Sequence, residues 1–303
     1  MHVTLRQLKV FESVAKYLSY TQAAHALHLS QPAVSMQIKQ LEGNIGLQLF
    51  EQVGKKIFLT EAGEEMNHYS REISSQLDEL SDVFEGLKGV SRGHLSISVA
   101  STANNFGTRL LAAFTKEYPG TSFSLDVTNR ETLLLQLENN EKDLVIMGRP
   151  PEDLDLAVES FMDNPLVVIA PPNHPLATEK SIPLTRVQEE TFVVREAGSG
   201  TFIAMERFFN SHDVTLNTGM EMTSNEAIKQ SVEAGLGLGI VSIHTLELEL
   251  EAGRLVILDI EGLPILRHWY VVHRKAKRLS PVASVFKVFV LEESDKILKL
   301  STA

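Results

Sequence analysis

Between Thr21 and Glu42 the sequence TQAAHALHLSQPAVSMQIKQLE leaves little choice of fold. Val34, Ile38 and Leu41 fall at i, i+4 and i+7, the core-facing stripe of one short amphipathic helix. Ser30 and Pro32 mark its start, because the N–H that proline lacks has no partner in a first turn. Just upstream, Thr21 can cap a second short helix whose buried side is Ala23, Ala24 and Leu27. Two short helices joined by about three residues, with small alanines where they cross, make a helix-turn-helix. Many such motifs have glycine near the turn; His28 stands there instead. Ahead of them, Thr4 and Gln7 form a capping-box pattern, followed by Leu5, Leu8, Phe11, Ala15 and Leu18 at helical spacing, which predicts a first helix.

The next stretch, LFEQVGKKIFLT, has two short apolar segments around Gly54, Lys55 and Lys56, a small hairpin or wing with its cations at the tip. From Glu61 to Lys88 the pattern is helical again. Ala62, Met66, Tyr69, Ile73, Leu77, Leu80, Phe84 and Leu87 form a seam spaced by threes and fours, which wants a partner helix. The flanking chain offers no second heptad segment, so the partner is the same helix of another subunit.

With 303 residues the chain is long for one core, and two or more domains are expected. The net charge of −11 speaks against a general nucleic-acid binder, but it is unevenly spread. Residues 1–60 carry six Lys/Arg and three acids, a net +3, which leaves −14 on the remainder. A mildly basic end on an acidic body suits an anionic partner at the N-terminus only. The absence of cysteine removes disulfides, thiolate nucleophiles and cysteine metal sites. No apolar run approaches the roughly 18 residues of a membrane span. The start MHVTLRQLKVFE is an amphipathic pattern rather than a signal segment, so the expectation is a cytoplasmic protein without a membrane partner.

After GVSRG, strands and helices alternate. Strands are expected at 95–100, 122–127, 143–148, 166–170, 192–195, 219–223, 239–242, 255–258 and 268–274, and helices at 107–118, 131–138, 201–212, 225–234 and 281–291. Alternation of this kind predicts α/β sheets with helices on their faces, and ligands at the carboxyl ends of strands.

The N-terminal sixty residues resemble the winged helix-turn-helix of LysR-type transcriptional regulators, in the Ala-Ala pair, Ser-Gln-Pro-Ala-Val-Ser, Leu-Phe and Leu-Thr-Glu-Ala-Gly. The later SVAST, REAGSGT and EAGLGLGIV segments resemble that family's effector domain. Within the family, SMQIKQLE, FEQVGKKIFLTEAG and LVIMGRPPE look most like the CbbR-type regulators of carbon-fixation (Calvin-cycle) operons. The resemblance implies an α+β multidomain chain: a winged helix-turn-helix over 1–60, a dimerising linker helix over 61–90, and over 91–303 a two-lobed α/β domain like a periplasmic binding protein. Lobe I would be 91–163 with 267–303 and lobe II 164–266, the chain crossing near Met162 to Leu166 and near Leu266. It implies a tetramer of paired dimers on double-stranded operator DNA, RNA polymerase as a further partner, no cofactor, and a switch by a small anionic effector. A phosphorylated metabolite and NADPH are the candidate effectors.

Phosphate contacts position a protein on DNA and base contacts specify the sequence. Gln31 and Ser35 lie on the leading exposed turns, Pro32 and Ala33 can touch thymine methyls, and Lys39, Lys55 and Lys56 suit phosphate or minor-groove contact. Met36 stands where many family members have arginine, which removes one bidentate contact. For the effector, Ser101 and Thr102 can open a helix where VASTANN leaves its strand, supplying hydroxyls and N–H groups to an anion. Gly200 and Thr201 offer a second such element from the other lobe. Arg149, just after a strand, is placed to supply a fork-shaped cation, with Asn129 and Arg195 at other strand ends. The plainer reading of these residues is that they are caps and turns, Thr128 and Glu131 for instance forming a capping box.

Several other readings fail. GLGLGI has Ile240 where GxGxxG needs its last glycine, and a helix precedes it where a strand should, so it serves a turn or packing. His25 and His28 lack further metal ligands. There is no P-loop, GxSxG elbow or HExxH. No general base can be placed beside the cleft hydroxyls, so no catalytic residue is expected. An effector-responsive regulator is therefore favoured over an enzyme with a DNA-binding arm, and a regulator of another metabolic operon is the nearer alternative.

Overall fold

The computed structural model describes residues 2–54, 56–87 and 93–297. The chain divides into two compact units, Met1–Ser81 with Asn139–Glu141 and Asp82–Glu138 with Lys142–Ala303.

The first unit runs α1 (Leu5–Tyr17), α2 (Tyr20–Ala26), α3 (Gln31–Ile45), β1 (Phe50–Val53), β2 (Lys56–Leu59) and the start of α4 (Glu61–Leu87). The capping box at Thr4 is formed, with the Thr4 side chain accepting from the Gln7 N–H and the Gln7 side chain accepting from the Thr4 N–H. The cap of α2 is Ser19 rather than Thr21: the helix begins at Tyr20, and Ser19 Oγ accepts from the Gln22 N–H at 3.3 Å. Both hydroxyls can cap, and the left-handed Leu18 that closes α1 decides which one does. His28 takes the conformation that glycine usually supplies at this turn, with φ 53°.

Phe11, Val14, Ala23, Val34, Ile38, Leu41, Leu49 and Phe50 form the core of this unit. Ala23 and Ala24 are buried, small enough to let the short helices pack closely. Glu42, also buried, points its carboxylate at the wing and accepts from the N–H groups of Leu49 at 2.8 Å and Phe50 at 3.4 Å. β1 and β2 pair antiparallel from Phe50↔Leu59 to Val53↔Lys56. Thr60 then locks the hairpin to α4, donating to the Gln48 carbonyl at 2.7 Å and accepting from the Gly63 N–H at 3.1 Å. A Cβ at Gly63 would lie 2.0 Å from the Leu49 carbonyl oxygen, so the LTEAG segment admits no larger residue there. Along α4, Ala62 and Met66 pack on this core, whereas Tyr69, Ile73, Leu80 and Phe84 are exposed.

The second unit continues with β3 (Gly93–Ala100), a 3₁₀ turn at Ser101–Ala103, α5 (Asn104–Glu117), β4 (Thr121–Thr128), α6 (Arg130–Glu138), β5 (Leu144–Met147) and β6 (Leu156–Asp163). It goes on through β7 (Leu166–Ala170), α7 (Leu184–Val187), β8 (Thr191–Arg195), α8 (Gly200–Ser211), β9 (Asn217–Met222) and α9 (Asn225–Glu233). β10 (Leu238–Ser242), α10 (Glu247–Glu251), β11 (Val256–Ile257), β12 (His268–Arg274) and α11 (Pro281–Ile297) complete it. Two five-stranded mixed sheets result, β4-β3-β5-β12-β6 and β11-β7-β10-β8-β9, one in each lobe.

The core of the first lobe centres on Phe106, Phe114, Trp269, Phe286 and Phe289. The second sheet is covered on both faces, by Met205 and Phe209 of α8 on one and by Ile228 and Val232 of α9 on the other. In the GLGLGI run, Gly237 has φ 148° and a Cβ there would come 2.4 Å from the Thr191 carbonyl, so the run makes a tight turn into β10.

β6 is absent from the sequence expectation. It is an edge strand in which only Phe161 and Met162 are buried, with Glu159 bound to Lys287 of α11 at 2.7 Å. The short α7 and α10 are likewise unexpected, and α11 runs to Ile297 rather than stopping near Leu291. The chain crosses between lobes at Asn164–Pro165 and returns between Ile265 and His268. The two crossings run side by side: the Asn164 N–H donates to the Arg267 carbonyl at 2.7 Å, and Leu166 and Ile265 exchange both backbone bonds at 3.0 Å.

Candidate effector cleft and DNA interface

Where the two sheets face each other, a cavity of about 50 Å³ is lined from one lobe by Ser101, Thr102, Asn129 and Arg130, and from the other by Arg195, Gly200 and Thr201. Two helical starts meet there. Ser101 and Thr102 open the 3₁₀ turn that leads into α5, and Gly200 and Thr201 are the first two residues of α8. Ser199 Oγ caps α8 by accepting from the Phe202 N–H at 3.1 Å. The N–H groups of Gly200 and Thr201 therefore have no acceptor within their helix and are available to an anion.

Asn129 caps α6, its side-chain oxygen accepting from the Thr132 N–H at 2.9 Å; the Thr128–Glu131 box is not the cap. Arg195 lines the cavity, but its charge is already paired. It donates from Nε and Nη2 to the two oxygens of Glu196, each at 2.7 Å, and from Nη1 to Asn225 at 3.1 Å. Arg149 does not line this cavity. Its side chain is 69% exposed and pairs with Glu152 at 2.5 Å, because β5 ends at Met147 and the chain turns outward.

The cavity's cations are instead Arg130 and Arg267. Arg130 donates to the Arg149 carbonyl at 2.9 Å, and burial holds its pKa below the usual arginine value. Arg267 donates from Nη1 to the Gly200 carbonyl at 2.7 Å. Burial first, and Arg130 second, push its pKa down to about 10. Neither guanidinium has a carboxylate partner among the described residues. The same wall carries polar atoms with no hydrogen-bond partner among the described residues: Arg267 Nε, both amide atoms of Asn164 and Trp269 Nε1. Buried polar groups normally find partners, and several orphans converging on one small cavity mark a place for a bound polar molecule. The Arg195–Glu196 pair is self-neutralising, so the free balance is two positive charges, suited to a small dianion.

Arg130, Arg267, Asn164, Trp269 and Ser199 were not singled out from the sequence. Arg130 follows Asn129 directly, and Arg267, Asn164 and Trp269 lie at the two crossings, which topology alone brings beside the strand ends. A search of crossing residues for polar side chains could have found them.

In the first unit, Gln31, Pro32, Lys39 and Lys56 are exposed, Ala33 and Ser35 half-buried, and Met36 is 62% exposed. Lys55 lies outside the described residues. Val34, Ile38 and Leu41 face the core, so the exposed face of α3 is polar with one thioether and one ammonium group.

Residues 5–64 match the bacterial regulatory helix-turn-helix protein, lysR family, and residues 88–295 match the LysR substrate binding domain. The chain belongs to the LysR family. A LysR-type relative, the RuBisCO operon transcriptional regulator of Allochromatium vinosum, is 60% identical over 297 residues, covering 98% of each chain. The regulatory domain of Synechocystis CcmR, solved in complex with 2-PG, is 42% identical with a TM-score of 0.65, covering 70% of this chain and 100% of that one. Full-length OxyR from Pseudomonas aeruginosa shares the fold of the whole LysR-type chain, with a TM-score of 0.73 at 20% identity over 100% of this chain and 97% of that one. Among the described residues no helix is long and apolar enough to cross a membrane, and no group of side chains could hold a metal ion.

Proposed function

We infer that this chain is a cytoplasmic LysR-type transcriptional regulator of a carbon-fixation operon, switched by a small phosphorylated anion held between the lobes. The observation that carries the switch is the pair of buried guanidiniums, Arg130 and Arg267, without carboxylate partners and beside the orphaned Asn164 and Trp269. The 2-PG complex of the CcmR domain supports 2-phosphoglycolate as the first candidate. Ser101, Thr102, Gly200 and Thr201 would bind the anion through hydroxyls and helix-start N–H groups, while Asn129 and Arg195 shape the walls.

The division into a DNA-binding domain over 1–60, a linker helix over 61–90 and an effector domain over 91–303 follows the same reading. Gln31, Pro32, Ala33, Ser35 and Met36 would meet base edges, and Lys39, Lys55 and Lys56 phosphates. The exposed Tyr69, Ile73, Leu80 and Phe84 of α4 support a dimer through that helix, and paired dimers give a tetramer on an inverted-repeat operator, from which RNA polymerase is contacted. Nuclease footprinting of the chain on a carbon-fixation promoter, with 2-phosphoglycolate titrated in, tests this. A footprint whose length changes with the anion is expected; one that is unchanged by it and by other carbon-fixation metabolites would sink the reading.

A further inference from the structure

A second, larger compartment of about 670 Å³ adjoins the inner cavity, sharing Arg130 and Arg267 with it. Arg149 and Tyr270 line it from the first lobe, Arg207 and Phe208 of α8 from the second, and the return crossing runs along it. It thus gathers four guanidiniums against a single carboxylate, Glu152, whose partner is Arg149. The chain as a whole has the opposite bias, 39 acidic residues to 28 Lys/Arg, so the excess is local. Arg207 has no ion pair or hydrogen bond among the described residues, and Arg267 keeps an unpartnered Nε.

Apart from Ser211 and His268, the remaining wall is largely apolar. The rings of Phe208 and Tyr270 and the Pro150–Pro151 pair face the space, and Leu266 is 75% exposed beside them. Guanidiniums set among rings and proline faces suit an anionic head attached to an apolar body, since arginine both pairs with the head and stacks on planar groups. The inner cavity is more than ten times smaller.

We propose that this compartment is a second ligand site of the chain, taking an organic anion with an aromatic or apolar body, of the aryl phosphate class. Its walls come from both lobes and from the return crossing. Because Arg130 and Arg267 serve both spaces, the two anions repel each other and compete for the same charge. Each ligand therefore weakens the other by the same factor, a coupling that rests on the effector reading above.

Calorimetric titration of the full chain with phenyl phosphate, and separately with 2-phosphoglycolate, tests the site. Phenyl phosphate is expected to bind one per chain, more tightly than methyl phosphate, and still to bind, about five-fold weaker, when 2-phosphoglycolate is saturating. Arg207→Ala should weaken phenyl phosphate by about ten-fold or more, as removal of one charge-assisted hydrogen bond does, and change 2-phosphoglycolate by less than about two-fold. No binding of phenyl phosphate, equal binding to the Arg207→Ala protein, or its complete exclusion by 2-phosphoglycolate would overturn the proposal. The two readings fail separately. Arg207-dependent phenyl phosphate binding without any 2-phosphoglycolate binding would overturn the effector assignment and the coupling but establish the second site, whereas the reverse would overturn the second site alone.

Discussion

Arg267 Nη1 donates to the carbonyl of Gly200 at 2.7 Å, tying the segment that returns the chain to the first lobe to the first residue of α8. One side chain thereby links the hinge, a helix start and the effector cavity. Its Nε is left without a partner among the described residues, and its nearest charged neighbour in effect is another arginine.

A buried cation held without a carboxylate adds little to the stability of the empty protein. Arg267→Met removes a desolvated charge as well as the bond to Gly200, and these oppose each other. The ligand-free variant is expected to unfold within about 1 kcal/mol of wild type by chemical denaturation. A loss of several kcal/mol would mean that Arg267 is a structural residue first.

The close approach of α4 to the wing makes a second prediction. Gly63→Ala forces a Cβ into backbone, the Leu49 carbonyl oxygen, rather than into a flexible side chain. Destabilisation by about 2–3 kcal/mol is expected, read from the denaturant midpoint of the first unit's transition. A wild-type midpoint would show that the wing shifts freely.

On α3, Met36 is exposed and uncharged where an arginine would add a contact. Met36→Arg is expected to raise affinity for non-operator DNA and to steepen the dependence of log affinity on log salt by about one unit. Equal salt slopes for the two proteins would contradict a position near DNA.

Protonation at the lobe junction gives a pH prediction. His244 Nε2 donates to the Asp163 carbonyl at 2.8 Å, and its ring packs against Phe106 at 6.1 Å between centroids. Burial holds its pKa below the usual histidine value of 6.5, outweighing the opposite pull of Asp163. A base with a lowered folded pKa contributes stability that is fully present above the unfolded pKa and is lost as pH falls through the folded one. Between about pH 7 and pH 5 the wild-type stability should therefore fall more steeply than that of His244→Gln. Parallel pH profiles would remove His244 from the acid response.

The helix-turn-helix was legible because its period, its caps and its alanine crossing all sit within forty consecutive residues. Even there, Ser19 and Thr21 are equivalent caps on paper, and only the left-handed Leu18 separates them. The α/β alternation was legible wherever strands are buried on both faces, as in LVVIA of β7, and failed at β6, an edge strand with polar and apolar residues mixed. In the cleft, residues at helix starts could be read from local chemistry. Arg149 and Arg130 were indistinguishable as cleft cations until the turn after β5 sent Arg149 outward to Glu152. Arg267, Asn164 and Trp269 enter through the two crossings, a pairing of residues about a hundred positions apart that no local pattern encodes.

The most direct measurement is a calorimetric titration of the full chain with 2-phosphoglycolate, run on the wild-type and Arg267→Met proteins. One anion is expected to bind per chain, weakened about ten- to hundred-fold by the substitution, the effect of deleting a charge-assisted hydrogen bond. No binding to the wild type, or equal binding to both proteins, would contradict it.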